Sequence, residues 1–195
     1  MGNWGPLAFV GTGMSIATKR GDGGQTDLLF GQRAPKSHPR VHALGAVDEL
    51  NAALGLLAVS ARRPQSLELV RRVQPQLVAL MGELATPPGS EEKYRVRHPL
   101  LGADEVAQLD REVTQLEAIG FTFEGWVFPG QAGVLAGAQA DWARVVCRRA
   151  ERCIADLEGS AFSVPNPEIL RYLNRLSDVL WLLARLEEKP LSDAQ

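Results

Sequence analysis

The last third of the chain carries an apolar seam, Ile169, Leu173, Leu176, Leu180, Leu183 and Leu186. Its spacings of three and four admit one regular structure, an α-helix buried along one side. Pro165-Asn166-Pro167 stands just ahead of the seam as a start signal. One such stripe needs other stripes to pack against, and the chain offers four. Val41, Leu44, Val47, Leu50, Leu54 and Leu57 make a first helix face, with Asp48, Glu49 and Asn51 beside it. A second runs through Leu67, Val70, Val73, Leu77, Leu80 and Leu84, with Pro75 placed to kink it and Pro87-Pro88-Gly89 to end it. A third takes Val106, Leu109, Val113, Leu116 and Ile119 up to Gly120. The fourth begins near Ala132 and closes at Gly159. Ser90–Gly102 reads as a charged loop, and Phe121 to Phe128 as an extended aromatic stretch closed by Pro129-Gly130.

Residues 1–40 differ in kind. Their glycines and prolines exclude a long helix or an ordinary strand ladder and leave a structured or ligand-ordered loop. The sum is an all-α chain: a five-helix bundle in a ferritin-like up-down arrangement, with a glycine-rich N-terminal loop region. The reading is one domain, 1–195, with 1–40 as the loop and 41–188 as the bundle. With 195 residues, 45% of them hydrophobic, the chain is long enough to bury a core of its own.

The net charge of −2, with 23 acidic residues offsetting the basic ones, argues against a bulk nucleic-acid or membrane-surface binder. Basic clusters here are therefore expected to be local sites. No run reaches the roughly 18 apolar residues of a membrane span, and the opening ten residues lack the charged start and apolar length of a signal peptide. Cys147 and Cys153, six apart on one expected helix, cannot close an unstrained disulfide and read as reduced packing thiols of a cytoplasmic protein.

The fourth helix carries the chemistry. Asp141 to Arg152 holds Arg144, Arg148, Glu151 and Arg152 on one arc and Val146, Ala150, Cys153, Ile154 and Leu157 on the other. A solvated face over a core is the ordinary meaning of such a helix. Two other segments change its weight: Asn174-Arg-Leu-Ser-Asp178 on the last helix, and Thr18-Lys-Arg-Gly-Asp-Gly-Gly-Gln-Thr26 with Lys36 beyond it. Guanidinium groups, an amide and a loop of backbone donors are the parts of a polyphosphate site. The loop fits neither Gly-x4-Gly-Lys-[Ser/Thr] nor Gly-x-Gly-x-x-Gly after a strand. None of His38, His42 and His98 stands three after a glutamate, against a di-iron bundle. No Gly-x-Ser-x-Gly is present, and neither cysteine has a histidine beside it, against nucleophilic catalysis.

Taken in order, Thr18–Thr26 running on to Gly31 and Lys36, Gly45-Ala-Val-Asp-Glu-Leu-Asn51, and Ala143–Arg152 with Asn174–Asp178 resemble the PduO-type ATP:cob(I)alamin adenosyltransferases. That family is a trimer of five-helix bundles that binds ATP between subunits and transfers its 5′-deoxyadenosyl group to cobalt(I), releasing triphosphate. The resemblance makes Thr18, Lys19, Arg20, Gly21, Asp22, Gly24, Thr26 and Lys36 the loop side of an ATP site. Arg148, Arg149, Glu151, Arg152 and Asn174 become its helical side. It assigns Arg144, Arg148 and Asp48 to the catalytic machinery, with Asp48 and Arg144 as the pair that joins subunits. It places Trp126, Phe128 and Asp178 on the cobalamin side, one of the aromatics under the corrin.

By the same resemblance Mg²⁺ comes with ATP rather than from a protein metal site, and a reductase and an adenosylcobalamin-dependent acceptor enzyme are the implied partners. This chain departs from the family where Pro129-Gly130-Gln131 replaces the usual Pro-Gly-Gly. Two alternatives stay open: a homologue that binds ATP or adenosylcobalamin as carrier or sensor, and a purely structural helical oligomer.

Overall fold

The computed structural model describes residues 17–122 and 124–191. The expectations for residues 1–16 therefore lie outside the described residues. A two-stranded antiparallel hairpin comes first, β1 Gln25–Asp27 paired with β2 Arg33–Pro35 in the register Thr26 to Ala34. Five long helices follow: α1 Pro39–Ser60, α2 Pro64–Ala85, α4 Ala103–Glu117, α5 Leu135–Ala155 and α6 Glu168–Glu188. A short α3, Glu91–Arg95, lies between α2 and α4.

The helix ends follow local chemistry. Both α1 and α2 open on a proline, which needs no intrahelical donor there. The His38 ring caps α1 by accepting the Arg40 N–H at 3.2 Å. Pro75 does not break α2, which runs unbroken across it. Two expectations need correction. Ser90–Gly102 is not all loop: Tyr94 in α3 is buried against α2, its hydroxyl donating to the Ala79 carbonyl at 3.2 Å, and Gly82 is bare because any Cβ would strike the Tyr94 ring. And α5 starts at Leu135, not Ala132, because two tight turns, Gln131 N–H to Phe128 O and Gly133 N–H to Gly130 O, occupy the intervening residues, with Gly133 at φ +68.

Contacts between helix ends set the directions. Arg40, at the start of α1, donates to the carbonyls of Thr86 after α2 and of Phe162 and Ser163 after α5. Asn166, before α6, meets Glu83 of α2 and Leu101 before α4. At the other end, Glu187 of α6 accepts the N–H groups of Arg62 and Arg63 between α1 and α2, and Lys189 donates to Gly120 after α4. The long helices therefore alternate up and down around one core, Leu50, Leu54, Leu77, Leu80, Cys147, Leu173 and Leu180 among its members.

In its composition α1 is the outlier. Among the described residues it is the one helix long and apolar enough, at mean hydropathy 1.4, to cross a membrane. Packed between α2 and α5, it instead serves as a core helix, yet only 39% of that apolar window is buried in the single chain. Leu56 and Val59 face outward, as do Leu135, Trp142 and Val145 on α5. An ion pair between Glu49 of α1 and Arg149 of α5 shows that these outer faces adjoin. The exposed apolar side chains of the two helices thus lie on one side of the bundle, where clustered apolar groups mark an interaction site.

Candidate functional site

The hairpin is a preformed loop of cations and backbone donors. Asp22 N–H bonds Lys19 O at 3.2 Å and Gly24 N–H bonds Gly21 O at 3.1 Å, two consecutive turns flanked by left-handed backbone at Lys19 and Gly24. Lys36 N–H reaches back to Gly24 O at 2.8 Å, and its ammonium then lies over Gly21, where a Cβ would come within 3.2 Å of Nζ. Thr18, Lys19, Arg20, Asp22 and Gly24 are exposed, with Thr26 half-buried in β1. Sequence reading passed over the clamp behind them. Asp27 accepts from Arg33 at 2.9 Å and Arg20 at 3.3 Å, while Arg33 also donates to the Arg20 carbonyl at 2.8 Å.

On α5, Arg148, Arg149 and Arg152 point outward and Glu151 is half-buried. Arg149 is matched by Glu49, but neither Arg148 nor Arg152 has an ion-pair partner among the described residues. The antiparallel helices cross so that Cys147 meets the Leu173 carbonyl at 3.3 Å, which puts Asn174 of α6 level with Arg148 and Asp178, one turn further along α6, toward Arg144. Electrostatics agrees with that placement. Burial pushes the Cys147 thiol far above its ordinary range, with Glu151 adding to the rise, Arg148 opposing it and Asp178 adding again. Cys147 and Cys153 are both free, and so strong a rise leaves Cys147 an inert packing group. Asp178 is itself engaged by Arg175 at 3.1 Å.

Asp48 and Arg144 do not pair within the chain. Glu49 faces Arg149 across the α1–α5 contact, so Arg144, five residues earlier on an antiparallel helix, lies opposite position 54. That sets it about 9 Å along the axis from Asp48, at 1.5 Å per residue. Asp48 is exposed with no ion pair among the described residues, while Arg144 is held by Asp141, Nε to Oδ1 at 3.1 Å. No hydrogen bond or ion pair among the described residues joins the 18–36 loop to α5 or α6. One chain thus presents two half-sites at the same end of the bundle and does not close them on each other.

Trp126 and Phe128 are 80% and 62% exposed, so neither is a core residue of the chain. Their loop springs from the opposite end of the bundle, between the ends of α4 and the start of α5.

The fold is a helical bundle that carries a cationic hairpin at one end and unpaired arginines on one helix, groups of the kind that hold polyanions. A family model described as cobalamin adenosyltransferase matches residues 16–187, and the chain belongs to that family. Among curated relatives it is 38% identical over 178 residues to a corrinoid adenosyltransferase PduO of Citrobacter freundii, covering 90% of this chain and 50% of that one. It is 36% identical over 185 residues to the corrinoid adenosyltransferase PduO of Salmonella typhimurium, covering 93% and 52%. The chain thus spans about half the length of these two relatives. A cobalamin adenosyltransferase of Cupriavidus metallidurans is 40% identical over 172 residues, covering 88% of this chain and 86% of that one. Among solved structures, a variant PduO-type ATP:corrinoid adenosyltransferase from Lactobacillus reuteri, complexed with cobalamin and ATP, superposes with TM-score 0.74 at 29% identity, covering 88% and 89% of the two chains.

Proposed function

We propose that this chain transfers the 5′-deoxyadenosyl group of ATP to cob(I)alamin, forming adenosylcobalamin and triphosphate. The observation that carries this reading is the pair of half-sites: Arg148 and Arg152 unpaired beside Asn174 on the helices, and Lys19, Arg20 and Lys36 on a prefolded hairpin at the same end. Cobalt(I), in the substrate, supplies the electron pair that forms the bond to C5′; the C5′–O bond breaks and its electrons leave on the triphosphate. That leaving group gains charge as the bond breaks, and guanidinium and ammonium groups set in place beforehand stabilise it most where water is excluded. No protein base is required, so the chain's work is to orient two substrates and dry the gap between them. Mg²⁺ would arrive on the triphosphate, with phosphate oxygens and water as ligands. The relatives' names and the Lactobacillus reuteri complex with both substrates support the same chemistry.

Homotrimeric assembly belongs to the proposal. It would bring the loop of one copy onto α5 and α6 of the next and cover the outward Leu56, Val59, Trp142 and Val145. Light scattering should give about 64 kDa, three times the 21.2 kDa chain, and Trp142→Glu should shift it to monomer. A parent protein that stays monomeric at micromolar concentration removes this part of the reading. The cytoplasm is the proposed compartment, and a cobalt(II) reductase and an adenosylcobalamin-dependent enzyme are the proposed partners.

The deciding experiment is direct. Chemically reduced cobalamin, ATP and the protein should yield the light-sensitive adenosyl form with one triphosphate released per turnover. ATP binding without that product would instead make the chain a carrier or sensor, a role the Pro129-Gly130-Gln131 turn leaves open.

A further inference from the structure

Behind Arg144 stands a buried charge network that the proposed reaction does not itself require. Asp141 is 3% exposed and divides its carboxylate between two arginines: Oδ1 accepts from Arg144 Nε at 3.1 Å, Oδ2 from Arg185 Nη2 at 2.6 Å. Arg185, 6% exposed, is in turn gripped by Glu188, Nη2 to Oε1 at 3.0 Å and Nε to Oε2 at 2.8 Å. It also lies over the Trp181 ring at 5.4 Å. Gly137 makes room for this: a Cβ there would come within 2.7 Å of Glu188 Cγ. Every member but Arg144 is therefore locked between α5 and α6.

Arg144 is held by Nε alone. Its two Nη groups make no hydrogen bond among the described residues, and the side chain keeps 24% of its surface exposed. A guanidinium fixed at Nε cannot swing about its stem but keeps an open fork for a second, planar carboxylate.

We propose that Asp141 is a positioning residue that presents the Arg144 fork to Asp48 of a neighbouring copy, with Arg185 and Glu188 holding Asp141 in place. This rests on the homotrimer of the proposed function and adds to it the device that prepares the contact. Asp48 is exposed and unpaired within its own chain, and Arg144 lies too far along the bundle to reach it there, so the two open valences match only between copies. Orientation set before association lowers the entropy lost when the contact forms.

The test is a double-mutant cycle on assembly. Dissociation of the trimer on dilution is followed for the parent, Asp141→Asn, Arg144→Lys and the double variant, with KM for ATP and kcat measured below and above the dissociation midpoint. Asp141→Asn and Arg144→Lys should each raise the midpoint about tenfold. The double variant should do no worse than either alone. For Asp141→Asn, KM for ATP should rise only below the midpoint, with kcat above it within about twofold of the parent. In the unaltered protein a slowly exchanging arginine Nε–H resonance should be present and should vanish in Arg144→Lys, a reading that does not depend on Asp141→Asn folding. Effects that multiply in the double variant, an Asp141→Asn midpoint equal to the parent's, or the absence of that resonance overturns the inference while leaving a trimeric transferase standing. A monomeric parent overturns the trimer and the inference together.

Discussion

The hydroxyl of Tyr172 donates a 2.6 Å hydrogen bond to Oε1 of Gln76, joining α6 to α2 in the middle of the core. Tyr172 is fully buried and Gln76 is 4% exposed, so neither group has water as a substitute. Tyr172→Phe should therefore cost about 1–3 kcal/mol, the penalty of an orphaned buried acceptor. Thermal unfolding should report this as a drop of roughly 2–4 °C per kcal/mol for a chain of this size. An unchanged midpoint would show that Gln76 turns to another donor.

Glu83 carries a pH dependence whose sign follows from its site. Burial raises its carboxyl above the ordinary range, against the lowering effects of the Asn166 amide, the Leu101 N–H and Arg95. A raised carboxyl keeps its proton in the folded chain when the unfolded chain has lost it. Its contribution is fully present below the unfolded value and is lost as pH rises through the folded one. Glu83→Gln removes this loss, so the variant's stability relative to the parent should improve steadily as pH rises from the unfolded carboxyl range, measured by denaturant unfolding across pH. A difference that is flat with pH would mean that Glu83 titrates as in the unfolded chain.

Arg148 is exposed and unpaired, so its removal should leave the fold intact and strike function alone. A charge-assisted hydrogen bond contributes about 1.5–3 kcal/mol, and Arg148→Ala should weaken ATP handling roughly tenfold to a hundredfold. Titration calorimetry and steady-state kinetics check this. An Arg148→Ala protein with the parent's ATP affinity and turnover would make α5 only an amphipathic surface.

Trp126 and Phe128 offer a cleaner dissection than buried aromatics would. At 80% and 62% exposure, each can be cut to alanine with a stability change within about 0.5 kcal/mol. An apolar group under the corrin favours loss of the lower axial base and so eases reduction of cobalt(II). At least one of the two variants should slow adenosylation when cobalt(II) is reduced in the site, leave ATP affinity near the parent's, and recover on supply of pre-reduced cobalt(I). Full activity in both would give the lower face to another group.

Much of this protein is legible in its sequence, because its elements are decided by local periodicity. Each long helix lies where residues recur at three and four, since a seam such as Ile169 to Leu186 can be buried by no other regular structure. The outward row of Arg148, Arg149 and Arg152 is likewise set by helical angle, and the glycine-rich turns by the φ that Gly24 must take. What periodicity cannot show is which charges meet across elements. Arg40, a basic residue beside a helix start, is wholly buried because three carbonyls from two distant turns converge on it. Asp141 sits in the most polar stretch of α5, yet it is buried because Arg185, forty-four positions away, arrives from an antiparallel helix. α3 formed because Gly82 left a groove for Tyr94, a contact with no local signature. Sequence alone determined where the five long helices run and which side of each is apolar. Tertiary structure decided which buried ions are neutralised and which arginines keep an open hand, because those depend on distances between elements that no spacing along the chain encodes.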